Sequence, residues 1–236
     1  MRNELVASVC AVAAAQDGAI GAAQLRALGI SARAQRCAVA AGWLRPARPG
    51  VLAVAHFPQS WRQRLRAGLL ALDGAAWVSH DAAAHLHGLA GSVATIEFTV
   101  SRPSRGRVGA SAVHTTAFVA TGDVVIVDGM ACSSVARTVL DVAALGIPTD
   151  RLCTIVGDAL RTGRTDAGTL RARLATLRGS GRRGVRPLER LLTELAEVAA
   201  QDGSGAASSA ANSSRSCNAT PARTARMPAT SSALGA

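Results

Sequence analysis

Apolar positions recur with helical spacing through the first forty residues and then alternate in short runs. Leu5, Val9 and Val12 share one face of Asn3 to Gln16, which predicts a helix ended by Asp17-Gly18. Ala19-Ile20 predicts a short strand. Leu25 and Leu28 mark a second helix, closed at Gly29, where the chain needs permissive backbone. Ser31 is placed to cap a third helix. There, Ala34, Cys37, Ala38 and Ala41 recur at helical spacing, while Arg33 and Arg36 share the opposite face with Gln35 on its flank. Trp43-Leu44-Arg45 and Val51 to Val54 then predict two strands of a hairpin, with Pro46 to Gly50 as the turn and Arg45 and Arg48 at its tip. The two prolines remove backbone donors, so an edge position is expected. Helix, strand, helix, turn, helix and basic hairpin, in that order, predict a winged helix-turn-helix over residues 1–57.

The pattern after residue 58 is mixed. Trp61 to Leu72 predicts a helix with Leu65, Leu69 and Leu72 inward and Arg62, Arg64 and Arg66 outward or flanking. Trp77-Val78 predicts a strand, and Ser79 a cap for a helix holding Asp81 to His87. Ala94 to Val100 alternates as a strand, and Ala112 to Phe118 and Val124 to Val127 are further strand candidates. Asp128-Gly129 is a hairpin signal. Ser133 or Ser134 caps a helix to Leu145, and further helices are expected at Arg151 to Arg161, Asp166 to Leu177 and Pro187 to Ala199. This predicts an α+β fold: the winged unit, a mixed α/β domain over 58–199, and a disordered tail over 200–236, where nothing could fill a core.

Composition sharpens this picture. The net charge is +11 over 236 residues, and every basic side chain is arginine. Some of that follows from a GC-rich, Arg-Ala-Gly codon bias, but the excess over acids still favours a polyanionic partner. The six aromatic residues are scattered, which argues against base stacking on single strands and for duplex DNA. Five widely spaced cysteines with no Cys-x-x-Cys point to a reducing cytoplasm. Glu4 interrupts the basic start that an export signal would need. No apolar run approaches the ~18 residues of a membrane span.

Among candidate chemistry, Ser31, Arg33, Gln35 and Arg36 are expected to position and supply base-edge contacts in a major groove, where Arg reads guanine and Gln adenine. Arg45 and Arg48 are expected to hold the DNA backbone. His80, Asp81, His85 and His87 form a histidine-rich cluster, but its spacing is not His-Glu-x-x-His and no cysteine is near, so a structural or surface role is expected. His80 would help cap its helix, and Asp81 would hold an Arg or His locally. Two further basic stretches, Arg102 to Arg107 and Arg161 to Arg186, read as solvated surface or extra phosphate contact. No nucleophile elbow, P-loop or dinucleotide fingerprint is present. No catalytic residue, cofactor or metal is therefore expected, and the chain reads as a non-enzyme.

These residues resemble a family. Gln16 to Ile20, Leu28 to Ser31, Arg48 to Val51, Ser79 to Ala84 with His87-Gly88-Leu89, Val127 to Gly129, Ala136 to Asp141, Asp158 to Arg161 and Gly181 to Gly184 occur in the order found in abortive-infection type IV antitoxins (the AbiEi family). The resemblance implies a winged helix-turn-helix that binds inverted repeats as two copies and represses its own operon. It also implies a following domain that neutralises a nucleotidyltransferase-like toxin. On that analogy Arg33, Arg36, Arg45 and Arg48 contact DNA, and Arg137 and Asp141 form an internal salt bridge. Many similar proteins add a nuclease domain akin to very-short-patch repair endonucleases. Here no acid follows Asp202 and no lysine occurs anywhere, so the tail lacks that chemistry. The alternative reading is the non-catalytic N-terminal part of such an endonuclease-like protein, truncated or frame-shifted.

Overall fold

The computed structural model of the chain describes residues 3–74, 76–90, 96–102, 111–176 and 184–197. The expected tail over 200–236 and the loops 103–107 and 179–183 lie outside the described residues. The described residues form an α+β fold with two sheets of three and five strands. Among them no helix is long and apolar enough to cross a membrane.

The first 54 residues follow the expected order: α1 (Asn3–Ala14), β1 (Ala19–Gly21), α2 (Ala22–Ala27), α3 (Ala32–Ala40), β2 (Leu44–Arg48) and β3 (Val51–Val54). Val9, Ala13, Ile20, Leu25, Ile30, Leu44 and Val54 form their buried centre. Strand order is β1-β3-β2, all antiparallel, so β3 is central and the proline-bearing β2 is an edge. The turn is shorter than its prolines suggested. β2 runs on to Arg48 across a register shift between Pro46 and Arg48, and Pro49-Gly50 make the reversal. The bulge makes Ala47 the extra residue, and the edge position of β2 is where a strand tolerates Pro46.

α4 (Trp61–Ala71) packs on this first sheet through Ala67, Leu70 and Ala71 against Ala19, Ala47 and Val51. Of its arginines, Arg64 is exposed, whereas Arg62 and Arg66 lie at its flanks and are engaged. Arg62 Nε and Arg66 Nε donate to the two oxygens of Asp17 at 3.2 and 3.0 Å, and Gln63 Nε2 donates to the Asp17 carbonyl at 3.0 Å. The same helix grips the second sheet. Arg62 Nη1 reaches Asp128 Oδ2 at 2.6 Å, and the Arg66 guanidinium donates to the carbonyls of Asp128 and Gly129 at 2.6 Å. Residues 1–192 thus form one compact unit, and the expected boundary at 57/58 falls inside it.

The second sheet has the order β6-β5-β4-β8-β7, built from β4 (Ala76–Val78), β5 (Glu97–Ser101), β6 (Ala112–Thr116), β7 (Val124–Val127) and β8 (Met130–Ser133). β4 with β5 and β7 with β8 are antiparallel; β5 with β6 and β4 with β8 are parallel. The Asp128-Gly129 hairpin is present, with φ of +49° and +71°, the pair of left-handed residues that a tight strand reversal requires. Val78, Phe98, Val100, Met130 and Cys132 pack with Leu65 of α4 and with Ala82 and Ala83 of α5 (His80–Leu86). α6 (Val135–Ala144), α7 (Thr149–Arg161), α8 (Ala167–Ala175) and a last helix, α9 (185–197), form a separate apolar cluster that includes Val139, Ile155, Leu170 and Leu188. Of the two candidate caps for α6, Ser134 is the one used: its hydroxyl accepts from Arg137 N.

Candidate nucleic-acid interface

α3 is held from its start and from beneath. Ser31 Oγ accepts from Ala34 N at 3.2 Å, the N-cap expected of that residue. Gly29 supplies φ +83° in the turn before it, a conformation costly for any residue with a Cβ. Gln35 is 7 % exposed, and its Nε2 donates to Ala22 O at 3.2 Å and Ile30 O at 3.0 Å. One amide therefore ties α3 to the start of α2 and to the end of the intervening turn. This corrects the expected role of Gln35 in reading bases: its amide is spent inside the fold. α2 is fixed in turn by Gln24, whose Oε1 accepts from Gly21 N at 2.8 Å and which exchanges hydrogen bonds with Gln16.

The two faces of α3 also differ from the expected ones. Gln35, Ala38 and Val39 turn inward, whereas Ala34 and Cys37 are exposed. Small residues at helical spacing mark no inward face when the polar Gln35 is the residue that is buried. Arg33 and Arg36 remain on the outer face. Both are exposed, and among the described residues neither has an ion pair or hydrogen bond. Glu4 and Asp17 are the only acids in the first 57 residues, and Asp17 is engaged by α4.

The hairpin arginines are engaged within the protein. Arg45 Nη2 donates to Gln63 Oε1 of α4, which corrects its expected place at the hairpin tip. Mid-strand on β2, opposite Ala53, it faces the helix that carries the sheet. Arg48 is half-buried and its Nη2 donates to Ser111 Oγ at 3.1 Å. Arg36 and Arg48 nevertheless line one groove of about 480 Å³ between α3 and the hairpin, with Ala32, Ala40, Pro46 and Gly50. A second, mainly apolar groove of about 660 Å³ runs between α1 and α3, past Leu5, Val6, Cys37 and Trp43.

The histidine cluster separates. Ser79 does not cap α5; its Oγ accepts from Thr99 Oγ1 at 2.8 Å and lies 2.9 Å from His80 Nδ1. The N-terminus of α5 is capped instead by Glu97, whose Oε2 accepts from Asp81 N at 2.9 Å. Asp81 pairs at 2.7 Å with Arg151, seventy residues on and not locally. His85 stands edge-on to Trp61 with ring centroids 4.9 Å apart. His87 is buried, with Nε2 2.7 Å from Ser133 O. Burial holds its pKa below the ordinary imidazole range against the pull of that carbonyl, and the Arg164 charge adds to the lowering. Burial also pushes the neighbouring Cys132 thiol up to about 12, so it is inert at neutral pH.

The pair suggested by the resemblance is present: Arg137 Nε donates to Asp141 at 2.9 Å, within a buried group that includes Asp123 and Arg173. No protein-family model matches the chain, and no curated protein sequence matches it significantly.

Proposed function

We propose that residues 3–57 are a winged helix-turn-helix that places α3 in the major groove of duplex DNA, and that the chain is a DNA-binding regulator, not an enzyme. One observation carries this reading. Arg33 and Arg36 project one turn apart from an exposed helix whose other face is anchored, and no carboxylate among the described residues neutralises them. Charged donors held on a rigid element are what base-edge and phosphate recognition needs. The β2–β3 hairpin flanks α3 as a wing would, and Arg36 and Arg48 line an otherwise mainly apolar groove in which both guanidiniums would meet one phosphate. Gln35 and Arg45 belong to the scaffold in this reading. The resemblance to type IV antitoxins supports an inverted repeat bound by two copies, autorepression, and a nucleotidyltransferase-like toxin as protein partner.

The test is fluorescence anisotropy on duplexes from the chain's own upstream region, measured across a salt series. A bidentate guanine contact contributes about 1–3 kcal/mol. Arg33→Ala with Arg36→Ala is therefore expected to weaken specific binding by at least about tenfold and to flatten its salt dependence. Unchanged affinity and salt slope in a folded double variant would reject α3 as the recognition helix.

A further inference from the structure

We infer that His80, Glu97 and His114 form a binding site for one divalent transition-metal ion. Each residue offers a ligand atom within 4.8 Å of those of the other two. They come from three elements that the fold brings together: the start of α5, the start of β5 and the middle of β6. In the parallel register of β5 and β6, Glu97 is opposite Ala112 and Thr99 opposite His114. Glu97, Thr99 and His114 therefore share the sheet face opposite to Phe98 and Val100.

The spacing suits shared coordination. His114 Nε2 lies 3.3 Å from Glu97 Oε1. Two donors at bond lengths of roughly 2.0–2.2 Å on a tetrahedral ion stand about that far apart. The rings of His80 and His114 are stacked with centroids 3.7 Å apart. Imidazoles sharing such an ion sit roughly 5 Å apart, so binding swings one ring outward. His114 is the ring with room to move, since its side chain is 30 % exposed whereas His80 is 6 % exposed.

The supporting contacts match what ligands require. Glu97 Oε2 is held by Asp81 N, which leaves Oε1 toward His114. His80 Nδ1 lies 2.9 Å from Ser79 Oγ, itself fixed by Thr99, a contact that orients the ring as ligand imidazoles are oriented. Across the strand from Thr99, on the same sheet face, Trp77 is 7 % exposed and its indole N–H has no partner. A buried donor left over beside a polar cluster is a place for a group carried on an ion's open position. Two imidazoles and one carboxylate with no thiolate select zinc, iron, cobalt, nickel or copper over magnesium and calcium, which take all-oxygen shells.

The full chain, stripped with EDTA and dialysed, is titrated with Zn²⁺ by calorimetry and with Co²⁺ by visible absorption. The expected result is one ion per chain, ligand-field bands of a nitrogen–oxygen centre without a sulfur-to-cobalt charge-transfer band, and a Zn²⁺-dependent rise in melting temperature. His114→Ala, half-exposed and tolerant of truncation, is expected to lose at least about tenfold in affinity, and Glu97→Gln likewise. The site is refuted by absence of saturable binding in the wild-type chain, by a sulfur charge-transfer band, or by wild-type affinity in either folded variant. None of these readouts depends on DNA binding.

Discussion

Arg137 is the largest fully buried side chain among the described residues, at 1 % exposure, and its removal tests how the second sheet is held to its helices. Its Nε donates to both Asp141 oxygens at 2.9 and 3.0 Å, and its Nη1 to Asp123 Oδ2 at 2.9 Å and Phe118 O at 3.2 Å. Asp123 keeps a second cation, Arg173, when Arg137 is removed. Asp141, 5 % exposed, loses the fork that Arg137 Nε provides. Breaking a buried ion pair by removing one partner costs about 3–5 kcal/mol. The Phe118 carbonyl keeps the hydrogen bond that Thr116 Oγ1 donates at 2.9 Å, so it adds little. Against a total stability of roughly 5–15 kcal/mol, Arg137→Ala should remove a large share. Arg137→Lys keeps the charge but offers a point donor in place of a fork, so it should recover only part. Arg137→Met with Asp141→Leu removes both charges and should recover most of the loss. The assay is urea unfolding followed by circular dichroism, with equal m-values as the condition for comparison. A loss under about 1 kcal/mol for Arg137→Ala would refute the reasoning, as would a double variant no better than the single one.

Two further outcomes follow from buried groups. His87 is held neutral in the fold, so the unfolded chain takes up its proton first as pH falls through about 6.5. Its contribution is complete above that pH and is lost below it until the folded imidazole protonates; His87→Gln should shrink the drop in urea midpoint between about pH 7.5 and about pH 5.5, and an equal drop would count against it. Gly68 on α4 faces Phe98, and an added Cβ would lie 2.2 Å from the ring's Cζ. Gly68→Ala should therefore destabilise by about 1–3 kcal/mol despite its better helix propensity, and a stabilised variant in thermal melts would show that the ring can yield.

Much of the fold was legible because its signals are local. The N-cap at Ser31, the Asp128-Gly129 hairpin and the apolar run of Val124 to Val127 each depend on neighbours within a few residues, and each is present. What failed to show were long-range pairings. Gln35 reads as an outward polar residue until its carbonyl partners, Ala22 and Ile30, are known. Arg45 reads as a wing-tip cation until α4 places Gln63 beside it, and Arg48 until Ser111 is adjacent. Glu97 and His114 carried no signal at all. They meet His80 only through a parallel β5–β6 pairing, and spacing along the chain does not reveal a parallel neighbour. The Arg137–Asp141 pair was visible as an i,i+4 spacing, but its third partner, Asp123, precedes it by fourteen residues and sits before β7.

The engaged state of the hairpin arginines bears on the electrostatics of the proposed interface. Four free cations on α3 and the hairpin would each displace counterions, and the salt slope grows by about 0.9 per phosphate neutralised. Of these four, Arg33 and Arg36 are exposed and without an ion pair or hydrogen bond among the described residues, while Arg45 holds Gln63 and Arg48 holds Ser111. Gln63 and Ser111 are neutral, so both hairpin arginines keep their charge; in the proposed interface they would act on phosphate from fixed positions, and discrimination between bases would rest on α3. The same contacts make the hairpin rigid. α4 joins it to Asp17 and to the Asp128-Gly129 turn of the second sheet, so the hairpin and the larger sheet are positioned by one helix. In the proposed interface, a surface fixed in this way would lose little conformational entropy on meeting a duplex. It would give up the adaptability of a loose, highly charged arm in exchange, and so would favour selection of a site over general attraction to DNA.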